Sequence, residues 1–322
     1  MVVFRPSPER FREEEFKPRK LVRIKELLEG NSWEPKRVKA SPPPSVCFVD
    51  GVRRTEYRTA VFSDDGRFAG EGIFLSLGAG ALLVNTERGD FEVFSPLVER
   101  FFVHNTKDEN IPETFSVEVG RNILNFKSIP SRSDDISAFG NLLMRELEKK
   151  VAAKVLKEKK TFLVMDGTVK LKRFFPNAVH LVKDGVGFYD REEGELLLKL
   201  KKGERSPLFL FEEPVTVAKK GFSERKIKKV GCYVKLSDGP FTDPFASIVR
   251  LEMPLDGDTP PGRMVKTFER GAAAVLRYAN DPLRDPRAPK NLTTVAFLEK
   301  ELRRRLGRYE SIRAAVLRTL LG

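Results

Sequence analysis

Histidine and cysteine are nearly missing from this chain of 322 residues, which has two of each. That scarcity leaves little room for a zinc site, a disulfide framework, a catalytic triad or histidine-based acid–base chemistry. Cys47 and Cys232 each lie alone in an apolar segment, without Cys-x-x-Cys spacing, and read as small core residues. A glycine-rich phosphate loop is also lacking, since "GAGA" from Gly78 does not have dinucleotide-fingerprint spacing. An unrelated metabolic enzyme is therefore poorly supported. No apolar run approaches the roughly 18–20 residues that a helix needs to cross a bilayer. The opening "MVVFRPSPERFREEE" is charged almost at once and has no signal-peptide core. A cytoplasmic protein without membrane attachment is expected.

What the chain has in surplus is positive charge. Lys and Arg total 59 against 46 for Asp and Glu, a net charge of +13, and the pI is near 9.7. Such a balance suits a polyanionic partner, and DNA is the leading candidate. An ion-pair-rich surface of the thermophile kind would also fit 33% charged residues, but ion pairs alone leave the surplus unexplained. The surplus is locally dense in "KKGFSERKIKK", which makes Lys219, Lys220, Arg225, Lys226, Lys228 and Lys229 candidate DNA contacts. A second basic face lies in "ELRRRLGRYESIR" near the C-terminus.

With 40% hydrophobic residues spread along its length, the chain can bury a substantial core. Residues 1–45 read as a helical arm, with a short amphipathic helix around Leu21 to Leu28 and a stiff "SPPPS" linker. Residues 46–322 read as the main domain. Strands are expected at Arg58 to Ser63, Gly72 to Leu77 and Ala81 to Asn85, with "SDDGR" and "GAGA" as turns. The clearest helix spans about Asp134 to Lys159, where Leu143, Leu147, Val151 and Val155 form a stripe, acids lead and lysines close.

Two short pieces read alike, "VCFVDGV" at Val46 to Val52 and "FLVMDGT" at Phe162 to Thr168. Each is an apolar run suited to a central strand, and each ends in Asp-Gly, where the chain is expected to leave the sheet. Either dipeptide alone is an ordinary turn. As a pair, Asp50 and Asp166 form candidate ligands for a shared cation. Carboxylates holding Mn²⁺ or Mg²⁺ would supply what phosphodiester hydrolysis needs, a hydroxide near neutral pH and a neutralised leaving oxygen. A third acid is sought on the helix, where Glu146 and Glu148 both qualify. Glu148 has Met144, Val151 and Ala152 as neighbours and is preferred; Glu146 faces Lys149 and Lys150 and is the alternative.

The order strand, Asp, antiparallel strands, helix, strand, Asp follows the plan of ribonuclease H-like folds. The chain resembles the NurA nucleases in "FVDGVRR", "MRELEKKVAA", "LVMDGTV", "VTVAKKGFS", "IVRLEMP" and "RAPKNLTTVAFLEKELR", over roughly Val46 to Leu306. The resemblance implies an α/β protein with a mixed sheet flanked by helices, carrying N-terminal and C-terminal helical additions. It implies a Mn²⁺-dependent (or Mg²⁺-dependent) deoxyribonuclease, exonucleolytic and single-strand endonucleolytic, serving DNA-end resection and repair. A homodimer working with a HerA-type hexameric ATPase is the implied assembly. By position, Asp50, Glu148 (or Glu146) and Asp166 would bind the metal, and Lys219 would contact the scissile phosphate. One departure stands out: Ala296 falls where the family commonly has a histidine. His104 and His180 lie elsewhere, and Asn291 or Asp285 would have to substitute. A catalytically degenerate DNA-binding adaptor of the same fold is therefore the alternative.

Overall fold

The computed structural model describes residues 3–6, 23–106, 110–131, 135–168, 173–183, 191–218, 222–239, 243–255, 257, 259–283 and 289–321. In chain order the strands are β1 (Val3–Pro6), β2 (Ile24–Leu27), β3 (Lys36–Arg37), β4 (Ser45–Phe62), β5 (Phe68–Asn85), β6 (Phe91–His104), β7 (Thr114–Val119) and β8 (Asn122–Pro130). Helix α1 (Ile136–Glu158) leads to β9 (Phe162–Asp166), β10 (Ala178–Val182), α2 (Arg191–Lys199), β11 (Glu204–Arg205), β12 (Phe209–Ala218), β13 (Phe222–Lys235) and β14 (Ile248–Pro254). Three helices close the chain: α3 (Pro261–Tyr278), α4 (Thr293–Arg305) and α5 (Tyr309–Leu321). None of the described helices is long and apolar enough to cross a membrane.

The strands join one large mixed sheet in the order β2-β12-β13-β14-β10-β9-β4-β5-β6-β8-β7. At its centre β4, β9 and β10 run parallel, while β5 and β6 continue from β4 as an antiparallel meander. The chain is thus an α/β protein with helices on both faces of a mixed sheet, as expected. On one face α1 covers Cys47, Val49, Leu163 and Met165 with Leu147, Val151 and Val155, the residues of the expected stripe, and Leu143 packs at its margin. Asp135 caps α1, its carboxylate accepting a hydrogen bond from the Ala138 N–H. On the other face α3 and α4 bring Phe268, Ala272, Leu298 and Leu302 against Val46, Phe48, Phe162, Val164 and Leu181.

Three local expectations are corrected. The strands around the first hairpin are not short: β4 and β5 are each 18 residues long and pair almost throughout. "SDDGR" does turn between them, but "GAGA" lies inside β5, buried. Its glycines make a recess for α4. A Cβ on Gly80 would lie 3.1 Å from the Leu302 Cδ2, and one on Gly78 would lie 3.0 Å from Val52 and 3.3 Å from Leu306. The expected N-terminal helix is also absent from the described residues, because Ile24–Leu27 is strand β2, antiparallel to β12. A short lone helix would be marginal in water, whereas the edge of β12 offers backbone partners. Likewise β1 pairs with β4 and β3 with β11, so the described strands of residues 1–45 belong to the sheet. Finally, the chain does not leave the sheet at the first Asp-Gly. β4 continues through Gly51, and only the second Asp-Gly ends a strand, where Gly167 takes φ +84°.

Candidate active site

Asp50 and Asp166 occupy neighbouring parallel strands. In the register Val49 faces Met165, so each aspartate follows a paired residue. Strand alternation puts Asp50 on the side of Val46, Phe48 and Val52, and Asp166 on the side of Phe162 and Val164. Both therefore face α3 and α4. Asp50 is 6% exposed, and its Oδ2 is buried without a hydrogen bond among the described residues. Burial first, and then the carboxylates of Asp166 and Glu148, push the Asp50 carboxyl well above its ordinary range, against an opposing pull from Lys183.

Glu148 reaches the cluster from the opposite face, on α1. It is 2% exposed, and a Cβ on Gly51 would lie 2.8 Å from its Oε1. Gly51 is thus a gap in β4 through which a glutamate on the helix approaches the strand carrying Asp50. Glu146 sits on the outer side of α1, where its carboxylate accepts a 2.6 Å hydrogen bond from Lys149. Of the two candidate glutamates, the one with apolar neighbours lies beside Asp50 and the one with lysine neighbours lies in solvent.

Lys183 is a site residue that the sequence patterns above did not single out. Its Nζ donates to Asp166 Oδ2 at 2.7 Å, while the Gly167 N–H donates to Asp166 Oδ1 at 3.1 Å. Burial alone would lower this lysine, but the nearby Asp166 and Asp50 outweigh it and hold the ammonium above the ordinary lysine range. A signal was available: Lys183 follows "AVHLV", an apolar strand ending in a charged residue, the same pattern that singles out the aspartates. The charge of Glu299 on α4 also bears on Lys183. Glu299 lies one helical turn beyond Ala296, on the segment where a histidine was sought. Asn291 is buried just ahead of α4, and Asp285 lies outside the described residues.

The two histidines are elsewhere. His104 ends β6, stacks on Phe102 at 5.5 Å between ring centroids, and is held below the ordinary histidine range by burial. His180 is buried within β10, opposite Glu252 of β14. Both cysteines are buried, and burial pushes the Cys232 thiol up to about 12.

The basic run separates into two faces. Lys226 and Lys228 are exposed on β13, whereas Lys229 is fully buried, its Nζ 2.5 Å from Glu213 and 3.1 Å from Glu252. As a DNA contact Lys229 is corrected: a strand sends alternate side chains to opposite faces, and this lysine neutralises the interior of the sheet. Lys219 and Lys220 lie outside the described residues, and of Arg225 only the backbone, in β13, is described. Replacing both Lys226 and Lys228 with Gln should flatten the dependence of log K on log salt for duplex binding, by about 0.9 for each phosphate that is no longer neutralised. Lys229→Gln should instead lower stability by about 3–5 kcal/mol, because it strands buried carboxylates. Filter binding across a salt series and urea unfolding of the same variants check both outcomes.

Asp50, Asp166 and Glu148 are hard oxygen donors of the kind that Mg²⁺ and Mn²⁺ take, and the unsatisfied Asp50 Oδ2 is open to a cation. Among the described residues, no three His, Cys, Asp or Glu side chains already converge on one ion position. The donor set fits a divalent ion in kind, with Lys183 supplying part of the positive charge. In comparisons with known proteins, no family model matches the chain and no curated protein matches it significantly.

Proposed function

We propose that the protein is a divalent-metal-dependent deoxyribonuclease with a ribonuclease H-like core. The observation that carries this reading is the burial of Asp50 beside Asp166 and Glu148, on two parallel strands and a helix, with an oxygen left open. Burying two acids beside a third, half-buried one costs stability and has no structural benefit in itself, which is how functional carboxylates are usually recognised. The central strand order β6-β5-β4-β9-β10, with an antiparallel meander, then a helix, then parallel strands, supports the ribonuclease H-like assignment.

In this reading Asp50 and Asp166, both on the α3/α4 face, would hold the ion, and Glu148 on α1 would add negative charge near Asp50 at the gap left by Gly51. A divalent ion bound there would act as a Lewis acid on the phosphate and lower the pKa of a water. The chain's own part is positional. Lys183 and the Gly167 N–H fix both oxygens of Asp166, and the burial of Asp50 keeps bulk water off its carboxylate. The exposed Lys226 and Lys228, with the overall charge of +13, favour a DNA strand as substrate. Resection of DNA ends as a homodimer with a HerA-type ATPase belongs to the same reading and rests on the NurA resemblance. Ala296, where a histidine was sought, favours a second reading, a DNA-binding adaptor without catalysis.

The deciding experiment incubates the purified chain with linear duplex and single-stranded DNA in Mn²⁺ or Mg²⁺. Degradation that stops with EDTA, and that falls to background in Asp166→Asn with DNA binding intact, is the expected result. A wild-type chain that binds DNA and leaves it whole under every metal would favour the adaptor.

A further inference from the structure

Asp166 has no oxygen free of the chain's own donors. Its Oδ1 accepts from the Gly167 N–H and its Oδ2 from Lys183 Nζ. In two-metal sites the ions lie roughly 4 Å apart and share a carboxylate between them. For Asp166 to bridge two ions, a second ion would have to bind Oδ2 against the charge of the Lys183 ammonium or displace it. That ammonium, on a side chain only 18% exposed, has Asp166, Asp50 and Glu299 around it and, if displaced, would be left without its main partner. Charge gives the same answer. With all three carboxylates ionised, as ligation of a cation requires, one ammonium leaves two negative charges at the cluster, the number that one divalent ion neutralises. Glu299 is half-buried at the rim, where solvent screens it.

We propose that Lys183 stands in for one of two cations, so that the site loads a single divalent ion between the open side of Asp50 and Asp166 while the Lys183 ammonium stays on Asp166. The inference rests on the metal-dependent reading above and adds to it the stoichiometry and the residue that sets it. Lys183 is here a positioning residue. It acts on the reaction through Asp166 and also keeps the cluster folded when no ion is present.

Calorimetric titration of the full chain with MnCl₂ should give one ion per chain. Lys183→Met should bind Mn²⁺ at least about tenfold more tightly, because the competing charge is gone. It should also melt lower than wild type in EDTA and recover on adding Mn²⁺, which a side chain with only a packing role would not do. Lys183→Arg, which keeps the charge, should bind one ion and melt near wild type in EDTA. If Lys183→Met fails to fold in EDTA, recovery of folding in Mn²⁺ is the supporting result, and failure in both conditions overturns the proposal. Two ions per wild-type chain would overturn the stand-in role and leave the metal-dependent reading in place. No binding of Mn²⁺ to the wild type would remove that reading and this inference with it.

Discussion

Glu148→Gln should, on the proposed nuclease function, lower Mn²⁺-dependent DNA hydrolysis by about 10²-fold or more, the scale on which single preorganised electrostatic groups act, whereas Glu146→Gln should leave the rate within about twofold. The two residues are on the same helix and two positions apart, so a general disturbance of α1 would affect both. Their surroundings differ. Glu148 is buried over Gly51 beside Asp50, and Glu146 is paired with Lys149 in solvent, where such pairs contribute little. Steady-state cleavage of a fluorescent single strand by the two variants, with melting curves to verify folding, makes the comparison. Equal activity in both would mean that α1 contributes no acid to the chemistry, and loss in Glu146→Gln alone would reverse the assignment.

Asp50→Asn should make the metal-free protein more stable at neutral pH, by about 1–3 kcal/mol, the range for a buried polar group that lacks its partner. The sign follows from linkage. In the folded chain the Asp50 carboxyl titrates well above its unfolded value, so above the ordinary aspartate range the folded state binds more protons than the unfolded state. Stability then falls as pH rises through the interval between the two pKa values. The Asn variant has no such slope at this position, and its amide can donate toward Asp166. Lys183, raised above the ordinary lysine range, contributes a loss only at alkaline pH and does not overlap this interval. Urea unfolding in EDTA from pH 5 to 8 should show the two proteins diverging as pH rises. A variant that is less stable throughout would mean that Asp50 is already satisfied in the apo protein.

Why the aspartates were legible in the sequence and Lys229 was misread comes down to range. A buried strand announces itself within five residues, and a charge at its end is conspicuous, so "VCFVD" and "FLVMD" could be read locally. α1 was equally plain, since its stripe, its leading acids and its closing lysines are local signals. The identical Asp-Gly dipeptides were harder, because their uses differ: Gly167 turns the chain, while Gly51 stays in the strand and leaves space for Glu148. Nothing near Gly51 in sequence reveals a helix packed against it almost a hundred residues later. Lys229 required knowing that its segment is a strand before its direction could follow. Strand β2 required a partner, β12, from the far half of the chain.

The parallel pairing of β4 with β9 has a consequence for how the protein is made. Ser45 Oγ donates to Thr161 Oγ1, a hydrogen bond that spans 116 residues. β4, β5 and β6 can form from neighbouring sequence, but β9 and β10 cannot join them until the intervening chain and α1 exist. On the ribosome, Asp50 emerges on the order of 10 s before Asp166 and Lys183 at usual synthesis rates. An unfinished chain therefore presents a meander whose Asp50 still lacks its cover, since α3 and α4 come later, and none of the assembled cluster. The order of synthesis thus acts as a safety catch: the cluster of Asp50, Asp166 and Lys183 does not come together until the central sheet is complete.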